Sequence, residues 1–365
     1  MRRVSALLAL LAITCVAATA APAAERLETP TPSSETSVWD PQEIATVVDS
    51  GLLGPSVEKF RPADPLTWGE LGGALAAWGH PIAAPADPAR KVTIRDLDAR
   101  LVAALGLLPA SHAVRVAARD AGLDPITSLG TETVARRVGL RLNHPANQDR
   151  LELLPAQPAS RAEAAYSLAK AMTVTDWQKQ MVLNETADLS FPDLTDWQRT
   201  VLTRALRFVG HPYVFSGTSE RARQTLWDGT VVPGGFDCSG FVWRVYKLQP
   251  YPDAPELTQT LQGRTTYAMS GEVPTELRVP IAAVEPADVV FFGSRGILSK
   301  PSEIGHMGIY VGNGWFVHSS EHGVTLDPMT GWYETRFAWA RRPLAEAGVD
   351  RAGTTAPATD PVSQT

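Results

Sequence analysis

Three side chains in the C-terminal half could together break an acyl bond: Cys238, His306 and His318. A thiolate is an effective nucleophile, an imidazole can take its proton and return it to a leaving group, and a third polar group can hold that imidazole in place. Cys238 lies in Phe236-Asp237-Cys238-Ser239-Gly240-Phe241-Val242-Trp243-Arg244-Val245-Tyr246. Phe241, Val242, Val245 and Tyr246 recur at helical spacing, so a helix is expected to start at or near Cys238, with Asp237 as its cap. A thiol at a helix N-terminus feels the positive end of the dipole, which favours the thiolate. The cap carboxylate opposes this, so full activation needs an imidazole partner. Gly235 and Gly240 allow backbone or substrate to come close.

That imidazole should be carried by strands. Val289-Val290-Phe291-Phe292 is a short apolar run of the kind found in a buried strand, and residues 305–312 alternate with period two. Asn313-Gly314 is a strong hairpin signal, with Trp315-Phe316-Val317-His318 as the returning strand. In a plain two-residue hairpin Val311 would face Phe316, His306 would face roughly Glu321, and His318 would sit nearer Ile309. A bulge or strand twist is then needed to bring the two imidazoles together.

These segments resemble the NlpC/P60 family of papain-like cell-wall cysteine peptidases. The resemblance rests on Phe-Asp-Cys-Ser-Gly-Phe-Val at 236–242, Pro-Ala-Asp-Val-Val-Phe-Phe at 286–292, Gly-His-Met-Gly-Ile-Tyr-Val-Gly at 305–312, and Phe-Val-His after it. It covers about 150 residues. It implies an α+β fold: a papain-like domain whose N-terminal helix bears the cysteine and packs on an antiparallel sheet. It also implies a Cys238-His306-His318 triad and hydrolysis of a peptide bond in peptidoglycan stem peptides, most often between D-glutamate and a diamino acid. Tyr213 matches a tyrosine that lines the family's site, and Asp237 and Ser239 become candidate substrate-binding residues. No cofactor and no metal are expected. A papain-like amidase or acyl-transferase acting on cell-wall peptides, and a non-catalytic wall-binding protein, are the alternatives. Two stretches, 216–235 and 294–303, are longer than the family's usual loops and should border the cleft.

Other histidines have plainer readings. His80, His112, His144 and His211 sit near turns or prolines and are expected to be solvated. His318-Ser319-Ser320-Glu321-His322 matches the H-x-x-E-H string of zinc peptidases, but that motif needs a helix and these flanks are strand-like.

The N-terminal half repeats itself. Pro62-Ala63-Asp64-Pro65-Leu66-Thr67-Trp68-Gly69-Glu70 matches residues 155–163 in character, and Pro85-Ala86-Asp87-Pro88 runs into a third copy at Thr93-Ile94-Arg95-Asp96. Each copy ends in Ser/Thr-x-x-acid before an apolar run, a capping box, which predicts helices starting near Trp68, Ile94 and Arg161. Residues 44–53 and 114–121 read as further helices, and Thr195 to Val209 as another, ended by Gly210. The repeats resemble S-layer homology repeats, which implies an all-α repeat domain that binds cell-wall polysaccharide.

Met1-Arg2-Arg3, the apolar run Val4 to Ala18, and the small residues that follow have the anatomy of a secretory signal peptide. Cys15 lies inside it after a poor lipobox, so no membrane anchor is expected after cleavage. The expected organisation is signal peptide 1–24, linker 25–39, helical repeat region 40–183, peptidase domain 195–345 and disordered tail 346–365, in a secreted or cell-wall protein. The 365 residues carry only two cysteines and a net charge of −6, with no long basic run. That composition argues against a disulfide-stapled scaffold, a four-thiolate zinc site and a nucleic-acid partner.

Overall fold

The computed structural model describes residues 41–141 and 152–349. The expected signal peptide and linker, His144 and most of the expected tail lie outside the described residues. Eight helices come first: α1 (Pro41–Asp49), α2 (Trp68–Ala77), α3 (Ile94–Ala104), α4 (Leu108–Asp120), α5 (Leu129–Arg137), α6 (Arg161–Thr173), α7 (Asp176–Ala187) and α8 (Asp196–Leu206). Helices α2, α3 and α6 begin at Trp68, Ile94 and Arg161, the positions their caps predict. Thr67 and Glu70 satisfy each other's backbone N–H groups, as do Thr93 and Asp96. Ser160 accepts from Glu163 N–H, but the Glu163 carboxylate is turned inward onto buried Arg141.

The three copies of the repeat join just ahead of their helices. Leu66 N–H donates to Ala159 O (2.8 Å), Ala159 N–H to Val92 O (2.8 Å), and Val92 N–H to Leu66 O (2.9 Å). This closed ring of three backbone bonds is fully buried, so each copy satisfies groups that its neighbour would otherwise leave unpaired. Helices α5 and α7 have no counterpart in the sequence reading. α7 runs past position 183, where the helical region was expected to end, to Ala187.

The C-terminal half mixes helix and sheet. Four two-residue strands, β1 (Thr218–Ser219), β2 (Gln224–Thr225), β3 (Val231–Val232) and β4 (Gly235–Phe236), lead into α9 (Cys238–Trp243), which continues as a π-helical turn over Arg244–Leu248. Two short helices, α10 (Leu257–Thr260) and α11 (Thr266–Gly271), precede the sheet strands β5 (Val289–Gly293), β6 (Ile304–Gly312), β7 (Trp315–Ser320), β8 (Gly323–Pro328) and β9 (Phe337–Arg341), with α12 (Trp332–Arg336) before β9 and α13 (Pro343–Glu346) after it. These five strands form one antiparallel sheet in the order β8-β7-β6-β5-β9. α9 packs on β6 and β7. Phe241, Val242, Val245 and Tyr246 all face the buried interior, as their helical spacing requires.

The described residues form one compact unit, and its packing explains why. One apolar cluster lies within the helical half. The main cluster of the sheet half also takes in Val114, Ala117 and Ala118 of α4, Leu123, and Leu129 of α5. α5 contributes Leu129 to that cluster and Val134 and Ala135 to the helical one, so it belongs to both. Among the described residues, no single helix is long and apolar enough to cross a membrane.

Candidate active site

Asp237 has extended backbone (φ −81°, ψ 174°), and its side chain accepts from Gly240 N–H, so α9 starts at Cys238. Two glycines make this turn possible. Gly235 sits at φ +153°, where a Cβ would lie 2.5 Å from Val214 Cγ2, and a Cβ on Gly240 would lie 1.9 Å from Gly217 O. Any side chain at position 240 would push the cysteine-bearing helix off the Gly217 backbone.

Ser239 Oγ donates to Asp237 Oδ1 (3.0 Å) and accepts from Arg264 (2.7 Å), which also pairs with Asp237 Oδ2 (3.0 Å). Asp237 and Ser239 are buried, whereas the Arg264 side chain is about one-third exposed. Arg264 had no signal in the sequence; it brings a cation beside the thiol from the loop ahead of α11. Tyr213 is half-buried and bridges to Phe236, two residues before the cysteine.

Cys238 is half-buried. Burial, then the Asp237 carboxylate, push its thiol up to about 12, against the opposing pull of the Ser239 and Met307 backbone amides and Arg264. The Met307 amide adjoins His306, so the thiol lies against the strand that carries the first imidazole.

The two histidines meet through an irregularity in the hairpin. β6 and β7 pair as Gly308↔His318, Ile309↔Val317 and Tyr310↔Phe316, then shift register so that Gly312 faces Trp315. The extra residue, Val311, is a β-bulge. It moves His318 from the position beside Ile309, expected for a plain hairpin, to one opposite Gly308. Side chains two apart share a face of a strand, so His306 and His318 become diagonal neighbours across Gly308. That glycine is required: a Cβ there would lie 2.8 Å from His318 Cβ and 2.7 Å from Phe316 Cδ2. His306 Nε2 lies 2.9 Å from His318 Nδ1, with the rings edge to face.

His318 is fully buried and stacks on Phe316 (4.3 Å, 10°). Its Nε2 lies 3.0 Å from Asp327 Oδ2 on β8. Asp327 was missed in the sequence, although alternation along Val324-Thr325-Leu326-Asp327 puts an acid on the face of Thr325, the residue paired with His318. Asp327 in turn accepts from Arg137 of α5 (2.5 Å). Hydrogen bonds to His318 and the Arg137 cation hold its carboxyl well below the usual range against the effect of burial. Burial, and then the neighbouring His318, hold the His306 imidazole well below its usual range. Its ring contacts Phe292, Trp332 and Tyr333. His306, His318, Asp327 and Arg137 therefore form a continuous line of side-chain contacts that starts on β6, the strand against which Cys238 lies.

His318, Glu321 and His322 lie on the end of β7 and its turn, not on a helix. Both ring nitrogens of His318 already have partners within the sheet. Of the histidines expected to be solvated, His80 and His112 are exposed. His211 is not: its Nδ1 lies 2.9 Å from Phe208 O, its ring packs between Phe208 and Phe236, and burial lowers it to about 4. The apolar residues on both sides of His211-Pro212 carry the ring inward.

The model of the NlpC/P60 family matches residues 210–342. The C-terminal half is an NlpC/P60 family domain. The match runs from the glycine that ends the helical half to the residue after β9, and encloses Cys238, His306, His318 and Asp327. Three curated relatives align with it. The probable peptidoglycan endopeptidase LytE of Bacillus subtilis is 32% identical over 143 residues, 39% of this chain and 33% of that protein. The bifunctional muramidase/DL-endopeptidase CwlT of Bacillus subtilis is 30% identical over 139 residues, 38% of this chain and 34% of that protein. The gamma-D-glutamyl-L-lysine dipeptidyl-peptidase of Bacillus subtilis is 27% identical over 145 residues, 38% of each. This chain thus spans little more than a third of the length of these relatives. Arg137 lies outside the NlpC/P60 domain.

Proposed function

We propose that this protein is a secreted peptidoglycan endopeptidase that cleaves the stem peptide by a Cys238-His306-His318 mechanism, with the D-glutamyl–diamino acid bond as its target. The observation that carries the reading is the 2.9 Å contact between His306 and His318, on strands packed against the helix that starts at Cys238. That contact depends on a bulge and a glycine with no other evident use, inside an NlpC/P60 domain. Peptidoglycan peptide cleavage is named for relatives that share this domain.

Burial raises the thiol and lowers the imidazole, which favours a neutral resting pair. As Sγ attacks the scissile carbonyl, its proton passes to Nδ1 of His306, because Nε2 is engaged with His318. The imidazolium then gives the proton to the leaving amine, the C–N bond breaks, and a thioester remains on Cys238. Water, deprotonated by His306, adds to the thioester and releases the acid and the thiol. The oxyanion is held by the Cys238 backbone N–H and the Tyr213 hydroxyl. Asp237 and Ser239 orient Arg264, whose exposed part meets a carboxylate of the stem peptide.

For residues 40–183 we propose binding to cell-wall polysaccharide. The closed ring of three repeats supports this, as does a cavity of about 500 Å³ lined by Lys59, Arg61, Glu70 and Arg161, where a carbohydrate acid could sit. Cys238→Ala is expected to abolish release of stem-peptide fragments from purified walls while leaving retention on them unchanged. Equal hydrolysis by this variant sinks the thiol mechanism, and strong loss of wild-type activity with a chelator revives a metal mechanism. Mass spectrometry of the released muropeptides identifies the bond.

A further inference from the structure

The line of hydrogen bonds from His306 through His318 and Asp327 ends at Arg137, outside residues 210–342. We propose that Arg137, the last residue of α5 in the helical half, is a positioning residue that fixes the proton positions of both histidines and so leaves Nδ1 of His306 bare for the thiol. The proposal rests on the reading of Cys238, His306 and His318 as the catalytic set.

The argument follows from which groups can donate. A guanidinium only donates, and an ionised carboxylate only accepts. Arg137 donates to Asp327 Oδ1 at 2.5 Å and also to Glu185 of α7. The cation holds Asp327 ionised, so the bond between Asp327 Oδ2 and His318 Nε2 must take its proton from the imidazole. The proposal includes a neutral His318, whose single N–H then sits on Nε2 and whose Nδ1 is an acceptor. The bond to His306 Nε2 then takes its proton from His306. The remaining nitrogen of His306, Nδ1, is the unprotonated one. A single cation thereby settles three successive hydrogen bonds, and neutral His306 enters the reaction as a base.

Arg137 is itself held on several sides. Its side chain is nearly buried, its guanidinium lies 5.7 Å over the Trp315 ring of β7, and Glu185 fixes its second nitrogen. Arg136, beside it, donates to His322 O at 2.6 Å and to Gly210 O, and pairs with Glu152 at 2.7 Å. A Cβ on Gly323 would strike this guanidinium at 2.1 Å. The end of α5 therefore grips both the β7–β8 turn and the Asp327 carboxylate. Around that carboxylate the other titratable groups are His318 on β7, His306 on β6, His322 at the turn and Tyr333 on α12, with Glu321 beside the last two. Arg137 is its nearest cation, and a lysine could not fork between Asp327 and Glu185 in this way.

The test uses the full chain and variants Arg137→Met, Arg137→Lys and Asp327→Asn. Imidazole ¹⁵N spectra should show His318 of the wild type protonated at Nε2 alone. Arg137→Met should give mixed His318 tautomers and lower kcat for stem-peptide release at least about tenfold with KM within about twofold, and Arg137→Lys should recover part of the loss. Asp327→Asn should lose roughly 10²–10⁴-fold in kcat, because an amide can donate to His318 and reverse the chain. A folded Arg137→Met protein with the wild-type ¹⁵N pattern and kcat within about twofold overturns the proposal. If Arg137→Met does not fold, the same two readings on Arg137→Lys and Asp327→Asn decide it, with unchanged tautomers and unchanged kcat counting against. Equal hydrolysis by wild type and Cys238→Ala instead removes the catalytic reading, and the ¹⁵N spectra alone then judge Arg137.

Discussion

At the scale of single residues, burial pushes both Cys238 and His306 toward their neutral forms. Burial raises the Cys238 thiol to about 12 and lowers the His306 imidazole, which disfavours a thiolate–imidazolium pair before substrate arrives. The sign for activity follows directly. A base with a depressed pKa stays available as pH falls, and a thiol with a raised pKa does not deprotonate as pH rises. kcat/KM is therefore expected to be level from about pH 7 to about pH 9 and to fall only on the acid side, as His306 gains a proton. An alkaline fall near pH 8 in a rate profile on purified muropeptides would mean that a thiolate–imidazolium pair exists at rest. The cysteine and both histidines were evident in the sequence because three motifs surround them. Asp327 and Arg264 were not, since each acts from a separate segment that only the fold brings near.

At the scale of elements, the hairpin of β6 and β7 decides whether the histidines meet. A register one residue away would turn His318 to the opposite face of the sheet. The Val311 bulge supplies that residue, and Gly308 supplies the space. Gly308→Ala forces a methyl against Phe316, the His318 Cβ and Val317 O, all within 2.8 Å. It should part the strands, lower the melting temperature by several degrees and cut kcat at least about tenfold. Wild-type values for both in calorimetry and a turnover assay would show that the hairpin absorbs the methyl without moving His318. The need for a bulge could be worked out from the spacing of two histidines around Asn313-Gly314, but its position could not, because many bulges satisfy the same count. α7 shows the reverse case. Its apolar spacing is weak, yet Thr175 and Gln178 form a capping box that marks its start.

At the scale of the whole molecule, the helical half is part of the sheet half's interior. Val114, Ala117, Ala118, Leu123 and Leu129 complete the apolar cluster that also holds Phe241 and Met307. Arg136 and Arg137 fasten the β7–β8 turn and Asp327. A chain beginning at Thr195 loses all of these contacts. It should melt well below the full protein and turn over more slowly, as differential scanning calorimetry and muropeptide release would measure. Equal melting temperature and equal kcat would establish that the two halves are independent.

The sequence alone determined the candidate reacting groups and most of the local elements. A nucleophile, two imidazoles, helix caps, period-two strands and a hairpin turn are all properties of neighbouring residues, so spacing reveals them. Tertiary structure alone decided which nitrogen of His306 meets His318, which acid faces His318, and that a cation from α5 closes the line. Those depend on groups separated by as many as 190 positions, whose meeting is set by how two cores pack around one helix. No local pattern records that.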